Sequence, residues 1–209
     1  MPSSPQPQTP LELAEKLKIE GKFVQALELL EQLLSEDPGN VIALEEIADN
    51  ELSLQHYERA ETAAAQVLKL VPDSETAHFV LGFLRSHEEQ WEPAVHHLRE
   101  ANRLRPNHPE ILRCLGWALF QGGKRPQGVV TLERALNLDR DNVLILCDLG
   151  VVSMQVQNMR KARALLLRAL ELDPQNARAQ ECLIMLKNLA SAKPPLRGRA
   201  PKRRTITSP

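Results

Sequence analysis

Cysteine is scarce in this chain: three residues in 209, too few for the disulfide framework of a small secreted scaffold. Aromatic residues are scarce too: four Phe, two Trp and one Tyr. No apolar run reaches the roughly 18 residues of a membrane-spanning helix. The opening MPSSPQPQTP has neither a basic n-region nor an apolar h-region, so no secretory leader is read. The expected compartment is the cytoplasm, or the nucleus in a eukaryotic host. There is no Gly-rich phosphate loop, G-x-S-x-G, HExxH or C-x-x-C, so neither catalysis nor a cofactor nor a small-molecule substrate is expected. His78, His87, His96, His97 and His108 crowd one stretch. His96 and His97 are adjacent and point to different sides of a helix, so no metal site is expected there. Cys114, Cys147 and Cys182 read as small buried or groove-lining hydrophobes.

What the chain has instead is a period. Pro38, Pro72, Pro106 and Pro174 are spaced by 34, 34 and 68, with Arg140 in the vacant slot. One small-residue column reads Ala14, Ala48, Gly82, Gly116, Gly150; another reads Ala26, Ala60, Ala94, Gly128, Ala162. A large apolar residue precedes the first column each time: Leu13, Ile47, Leu81, Leu115, Leu149. The register gives five units, 7–40, 41–74, 75–108, 109–142 and 143–176, each with two helical segments. In the fourth, Leu112, Leu115, Gly116 and Leu119 follow helical spacing, Gly122-Gly123 breaks it, and Pro126 suits the start of a second helix. Asn40, Ser74, Asn142 and Asn176 are expected N-caps, and Thr9-Pro10-Leu11-Glu12 reads as a capping box. Small residues in fixed columns allow two helices to approach closely, and stacked units cover faces that one unit leaves bare. A sixth helix over 177–190 is expected to cap the array, with Leu183, Ile184 and Leu186 turned inward.

These columns resemble the tetratricopeptide repeat, over residues 7–190. The resemblance implies an all-α fold, a right-handed α-solenoid of antiparallel helix pairs over 9–190, and a non-catalytic protein-interaction scaffold or chaperone-like adaptor. Departures from the family pattern include Arg140 and Gly128 in the fourth unit. Phe23, Tyr57 and Trp91 share one column and read as packing against the neighbouring helix.

The remaining aromatics, Phe79, Phe83, Trp117 and Phe120, fall on first helices of the two central units. On a wheel of ~100° per residue, Arg113, Trp117 and Phe120 form an arc about 120° from the packed face. In the tetratricopeptide family that arc lines the concave surface. The resemblance therefore implies a groove with Glu15, Glu45 and Asp49 at its N-terminal end. Phe79, Phe83, Arg113, Trp117 and Phe120 would line its middle, and Cys147, Val151 and Met154 its C-terminal part. Four large aromatics on one face would exceed the largest apolar patch typical of a monomer, about 300–600 Å². The expected partner is a protein or peptide with apolar anchors and a basic residue at one end. Mutual packing of these side chains is the competing reading. The family's carboxylate-clamp pattern of Lys and Asn is not matched, since the columns read Leu11, Glu15, Glu45 and Asp49.

Charge is uneven along the chain. The formal net charge is −1, but 191–209 holds six bases and no acid: Lys193, Arg197, Arg199, Lys202, Arg203 and Arg204. The remainder carries 20 basic against 27 acidic residues, or −7. Residues 1–8, with three prolines and no charge, and 191–209 are both expected to be disordered. The basic tail reads as a solubilising end, as an electrostatic contact to nucleic acid or anionic lipid, or as a nuclear address. An alternative function follows: an assembly factor tethered by this tail, with the solenoid forming a homo-oligomer.

Overall fold

The computed structural model describes residues 9–191, with side chains through 189. The disorder expected of 1–8 and the readings of the basic tail concern residues outside these, apart from Ser191, which ends a helix. Among the described residues there are eleven helices and no strand. They are α1 Pro10–Ile19, α2 Phe23–Glu36, α3 Val41–Ser53, α4 Tyr57–Leu70, α5 Glu75–His87, α6 Trp91–Leu104, α7 Pro109–Gln121, α8 Arg125–Leu138, α9 Val143–Gln155, α10 Met159–Leu172 and α11 Ala177–Ser191. Each pair is a short antiparallel hairpin, and the pairs stack in chain order into an α-solenoid. None of these helices is long and apolar enough to cross a membrane.

Local chemistry sets the helix boundaries. Thr9 and Glu12 form a reciprocal capping box at α1, with Pro10 in the first turn. Asn40, Ser74, Asn142 and Asn176 accept backbone N–H groups at the starts of α3, α5, α9 and α11. Arg140 does not spoil its turn. Asn142 still donates to Asp139 at 3.0 Å, as Asn40 does to Asp37 and Asn176 to Asp173, so the Asp–Asn link rather than the proline holds the turn.

The turn inside each unit uses a different device. Gly21, Gln55, Glu89, Gly123 and Gln157 all have positive φ, and they stand 34 residues apart. Two of the five are glycine. The other three hold an L side chain in the left-handed region, at a cost of about 1 kcal/mol each.

Both small-residue columns are buried at the helix crossings. A Cβ on Gly82 would stand 2.6 Å from the Leu98 side chain, one on Gly116 2.7 Å from that of Leu132, and one on Gly150 2.8 Å from that of Leu166. Each glycine is therefore the socket for a leucine of its own unit's second helix. Gly128 is more extreme: a Cβ there would meet the Gly116 carbonyl at 2.6 Å and the Phe120 backbone nitrogen at 2.7 Å. The α7–α8 backbones approach through two glycines, where the other units place at least one alanine. Tyr57 packs its ring 4.5 Å from that of His87, and Trp91 lies beside Gly122, so this column joins each second helix to the next first helix.

One expectation about the cap is corrected. Leu186 is buried and Leu183 half-buried, but Ile184 is 59% exposed. Ile184 occupies the register of Ala48, Gly82, Gly116 and Gly150, the face that in every other unit is covered by a second helix. Among the described residues no such helix follows α11.

Candidate functional site

Successive first helices touch one another, α1 to α3, α3 to α5 and onward to α11. Among the described residues, successive second helices do not come within backbone contact. The stack therefore curves with first helices on its inner side, and this concave face carries the candidate site.

In the N-terminal half, a cleft of about 350 Å³ is lined by Lys18, Glu46, Asp49, Glu75, Phe79 and Glu110, among others. Its acids are not free. Lys18 pairs with Glu46 at 2.9 Å and Asp49 at 2.6 Å, and Glu45 accepts the Ser74 hydroxyl. Burial opposes the charge on Lys18, but its hydrogen bonds to Asp49 and Glu46 outweigh it and raise its pKa. Burial pushes the Glu75 carboxyl up, against the pull of Arg105 and His108. Glu15 is exposed, outside this network.

In the centre, a cleft of about 240 Å³ lies among α5, α7, α9 and α11. Phe83 and Trp117 are its half-exposed apolar walls, and Ser86 contributes a buried hydroxyl with no hydrogen-bond partner. Its polar side is a charge ladder. Asp148, 3% exposed at its side chain, accepts Arg113 at 2.8 Å on one oxygen and Arg178 at 2.6 Å on the other. Arg113 also donates to Glu110 at 2.9 Å through Nε. Burial works against the Arg113 charge, but neighbouring Cys114, Glu110 and Asp148 hold its pKa above the ordinary value. Arg178 lies 5.2 Å over the Trp117 ring, a cation–π contact. Burial pushes the Cys114 thiol up to about 12, so it is no nucleophile at neutral pH.

The structure separates the expected groove residues. Phe79, Phe83, Arg113, Trp117, Val151 and Met154 are half-buried on first helices. Phe120 and Cys147 are corrected: both are 1% exposed. Phe120 packs with Leu132, Leu149 and Val152 and is roofed by Arg125, 5.6 Å from its ring. The close α7–α8 crossing pulls it inward. Cys147 packs with Leu146, Ala162 and Cys182, and donates to Asn176. Sequence reasoning missed Asp148, Arg178 and Met185. Met185 was findable, since Phe83, Trp117, Val151 and Met185 are spaced by 34, and it is 49% exposed. Asp148, a lone charge within VLILCDLGVV, was a signal of a buried partner. Among the described residues no group of three or more His, Cys, Asp or Glu could hold a metal.

Known proteins share this arrangement. Two tetratricopeptide-repeat family models match residues 17–79 and 144–176. A search of curated proteins finds no match. Among solved structures, a thermophilic TPR protein of Thermus thermophilus is 22% identical, covering 87% of this chain and 97% of its own, with a TM-score of 0.66. PilF of Pseudomonas aeruginosa is 20% identical over 87% and 82%, with a TM-score of 0.70. YrrB, described as a TPR protein with an unusual peptide-binding site, is 19% identical over 84% and 90%, with a TM-score of 0.62. With five helix pairs in a 34-residue register and repeat models matched at both ends of the array, this chain carries tetratricopeptide repeats.

Proposed function

We propose that this protein is an interaction scaffold that holds a segment of a protein partner along its concave face. The central cleft carries the reading. Phe83 and Trp117 offer apolar walls, the Ser86 hydroxyl lacks an internal partner, and the Arg178 guanidinium stands at the rim over Trp117. Such a combination of apolar anchor pocket and few polar groups suits a peptide side chain with a polar neighbour. The fold-level likeness to YrrB, a TPR protein with a peptide-binding site, is consistent with it. The segment would place an apolar side chain between Phe83 and Trp117 and run toward Phe79. There the exposed carboxylate of Glu15, with Glu45 and the Lys18-paired Asp49, favours a basic residue. An adaptor or chaperone-like role follows if the partner is held for delivery.

The test is affinity capture from native lysate at moderate salt, read by mass spectrometry. The baits are the intact chain, a Phe83→Ala/Trp117→Ala double variant and a chain ending at Ala190. A protein captured by the first and third but not the second supports the groove. Capture that follows residues 191–209 instead sinks it, and favours tethering by the tail.

A further inference from the structure

A further cleft lies away from the concave face. It is a groove of about 730 Å³ at the C-terminal end of the solenoid, between α10 and α11. Its floor is Met159, Leu167, Leu183 and Leu186, and its rim carries Arg160, Arg163 and Lys187. The repeat register explains why it lies open among the described residues. Leu167 stands in the column of Glu31 and Glu133, which on earlier second helices pair with Arg59 and Lys161 of the following second helix. Leu183 stands in the column of Leu81, Leu115 and Leu149, each buried in a core cluster shared with the preceding unit, whereas Leu183 is only half-buried. The groove is thus the place where the second helix of a sixth unit would lie.

The occupants can be sorted by charge. Among the described residues no acidic side chain lines the groove, and Arg160 and Arg163 make no ion pair. The residues that follow α11 in this chain, 192–209, hold six bases and no acid and would be repelled. The same end of a second copy would set arginine against arginine. The opposite end of a second copy presents Glu12 and Lys16, polar residues in the columns where later units bury Val80 and Leu84, so it is a poor apolar plug. We infer that the groove docks an amphipathic helix of another protein, with an apolar stripe edged by acidic residues. A helix suits the site because it satisfies its own backbone groups, as the solenoid's second helices do.

Ile184 adds a size rule. Where Gly82, Gly116 and Gly150 receive a leucine, Ile184 already fills the slot, so the incoming helix must present a small residue there.

The test uses the full chain and two labelled synthetic helices of ~20 residues, long enough to be helical. Both carry the same Leu/Ala stripe, with Glu along its edges in one and Lys in the other, and binding is read by fluorescence anisotropy. The acidic helix is expected to bind at least about tenfold tighter, a gap that narrows with added salt. Arg160→Glu/Arg163→Glu should reverse the preference, and Leu167→Glu should abolish binding with helicity unchanged. Ile184→Gly should improve binding of an acidic helix carrying Leu at the facing position. Equal binding of the two helices, no binding of either, or indifference to the arginine swap overturns the inference. So does concentration-dependent mass in sedimentation that Leu167→Glu removes, which would make a second copy the occupant.

Discussion

The Arg178 guanidinium on α11 lies 5.2 Å over the Trp117 ring on α7, and the same guanidinium reaches Asp148 on α9 at 2.6 Å. Three successive first helices, the last of them the cap, are therefore joined at one point on the concave face. The aromatic wall of the candidate groove is held by this charge ladder.

Asp148 is the keystone of the ladder. Asp148→Asn leaves Arg113 buried against a neutral partner, and unfolding free energy should fall by about 3 kcal/mol. Arg178→Ala, on a more exposed side chain, should cost below about 1 kcal/mol. Urea midpoints of the two variants measure both. Equal losses would mean that Arg113 relies on Glu110 instead.

Gly128 should tolerate no side chain. Gly128→Ala drives a Cβ into backbone atoms of Gly116 and Phe120, which cannot yield as a leucine tip can. A loss of about 2–3 kcal/mol is expected, although alanine fills this column in the other four units. Thermal unfolding of Gly128→Ala beside the reverse change Ala94→Gly would show whether the close crossing is specific to the fourth unit.

The left-handed turn residues offer stabilising changes. Glu89→Gly and Gln157→Gly relieve positive φ values of 58° and 60° and should each gain up to about 1 kcal/mol, while Gly123→Gln should lose a similar amount. Chemical denaturation of the single variants decides it; a loss in the first two would mean that their side chains hold the turn.

Acid should weaken the third unit. Burial first, then His78, His96 and Arg85, lower the His97 pKa from 6.5 to about 4. The Nε2–H of His78 donates to the Pro72 carbonyl, so its Nδ1 accepts from His97 Nδ1 at 3.0 Å. A depressed histidine pKa means that the unfolded chain binds the proton first. The contribution is present above about pH 6.5 and is lost as pH falls through about 4. For this half-exposed ring it amounts to on the order of 1 kcal/mol after solvent screening. Stability of His97→Gln measured between pH 7 and 4 should fall less than that of the parent.

The groove residues should be separable from the fold. Phe83→Ala/Trp117→Ala should keep far-UV helicity, because both side chains line an open cleft, and should lose partner binding. A collapse of helicity would show that they act as core.

The repeat register, the helix boundaries and the two small-residue columns were all legible in the sequence, because each follows from rules acting within one unit. Caps depend on residues three apart, amphipathic faces on one turn, and the period on simple repetition. The wheel put Arg113 and Trp117 on one arc, and it was the family resemblance that turned this arc, with Phe79 and Phe83, to the inner side. The wheel could not place Phe120, because a wheel gives direction and not the distance to the next helix. The Gly116–Gly128 crossing set that distance and drew the ring inside. Nor could it find the Arg113–Asp148–Arg178 ladder, whose members are 35 and 30 residues apart and meet only once three units have stacked. The open α10–α11 groove is likewise a property of the stack, since a face is unpartnered only relative to a helix that the described residues do not supply.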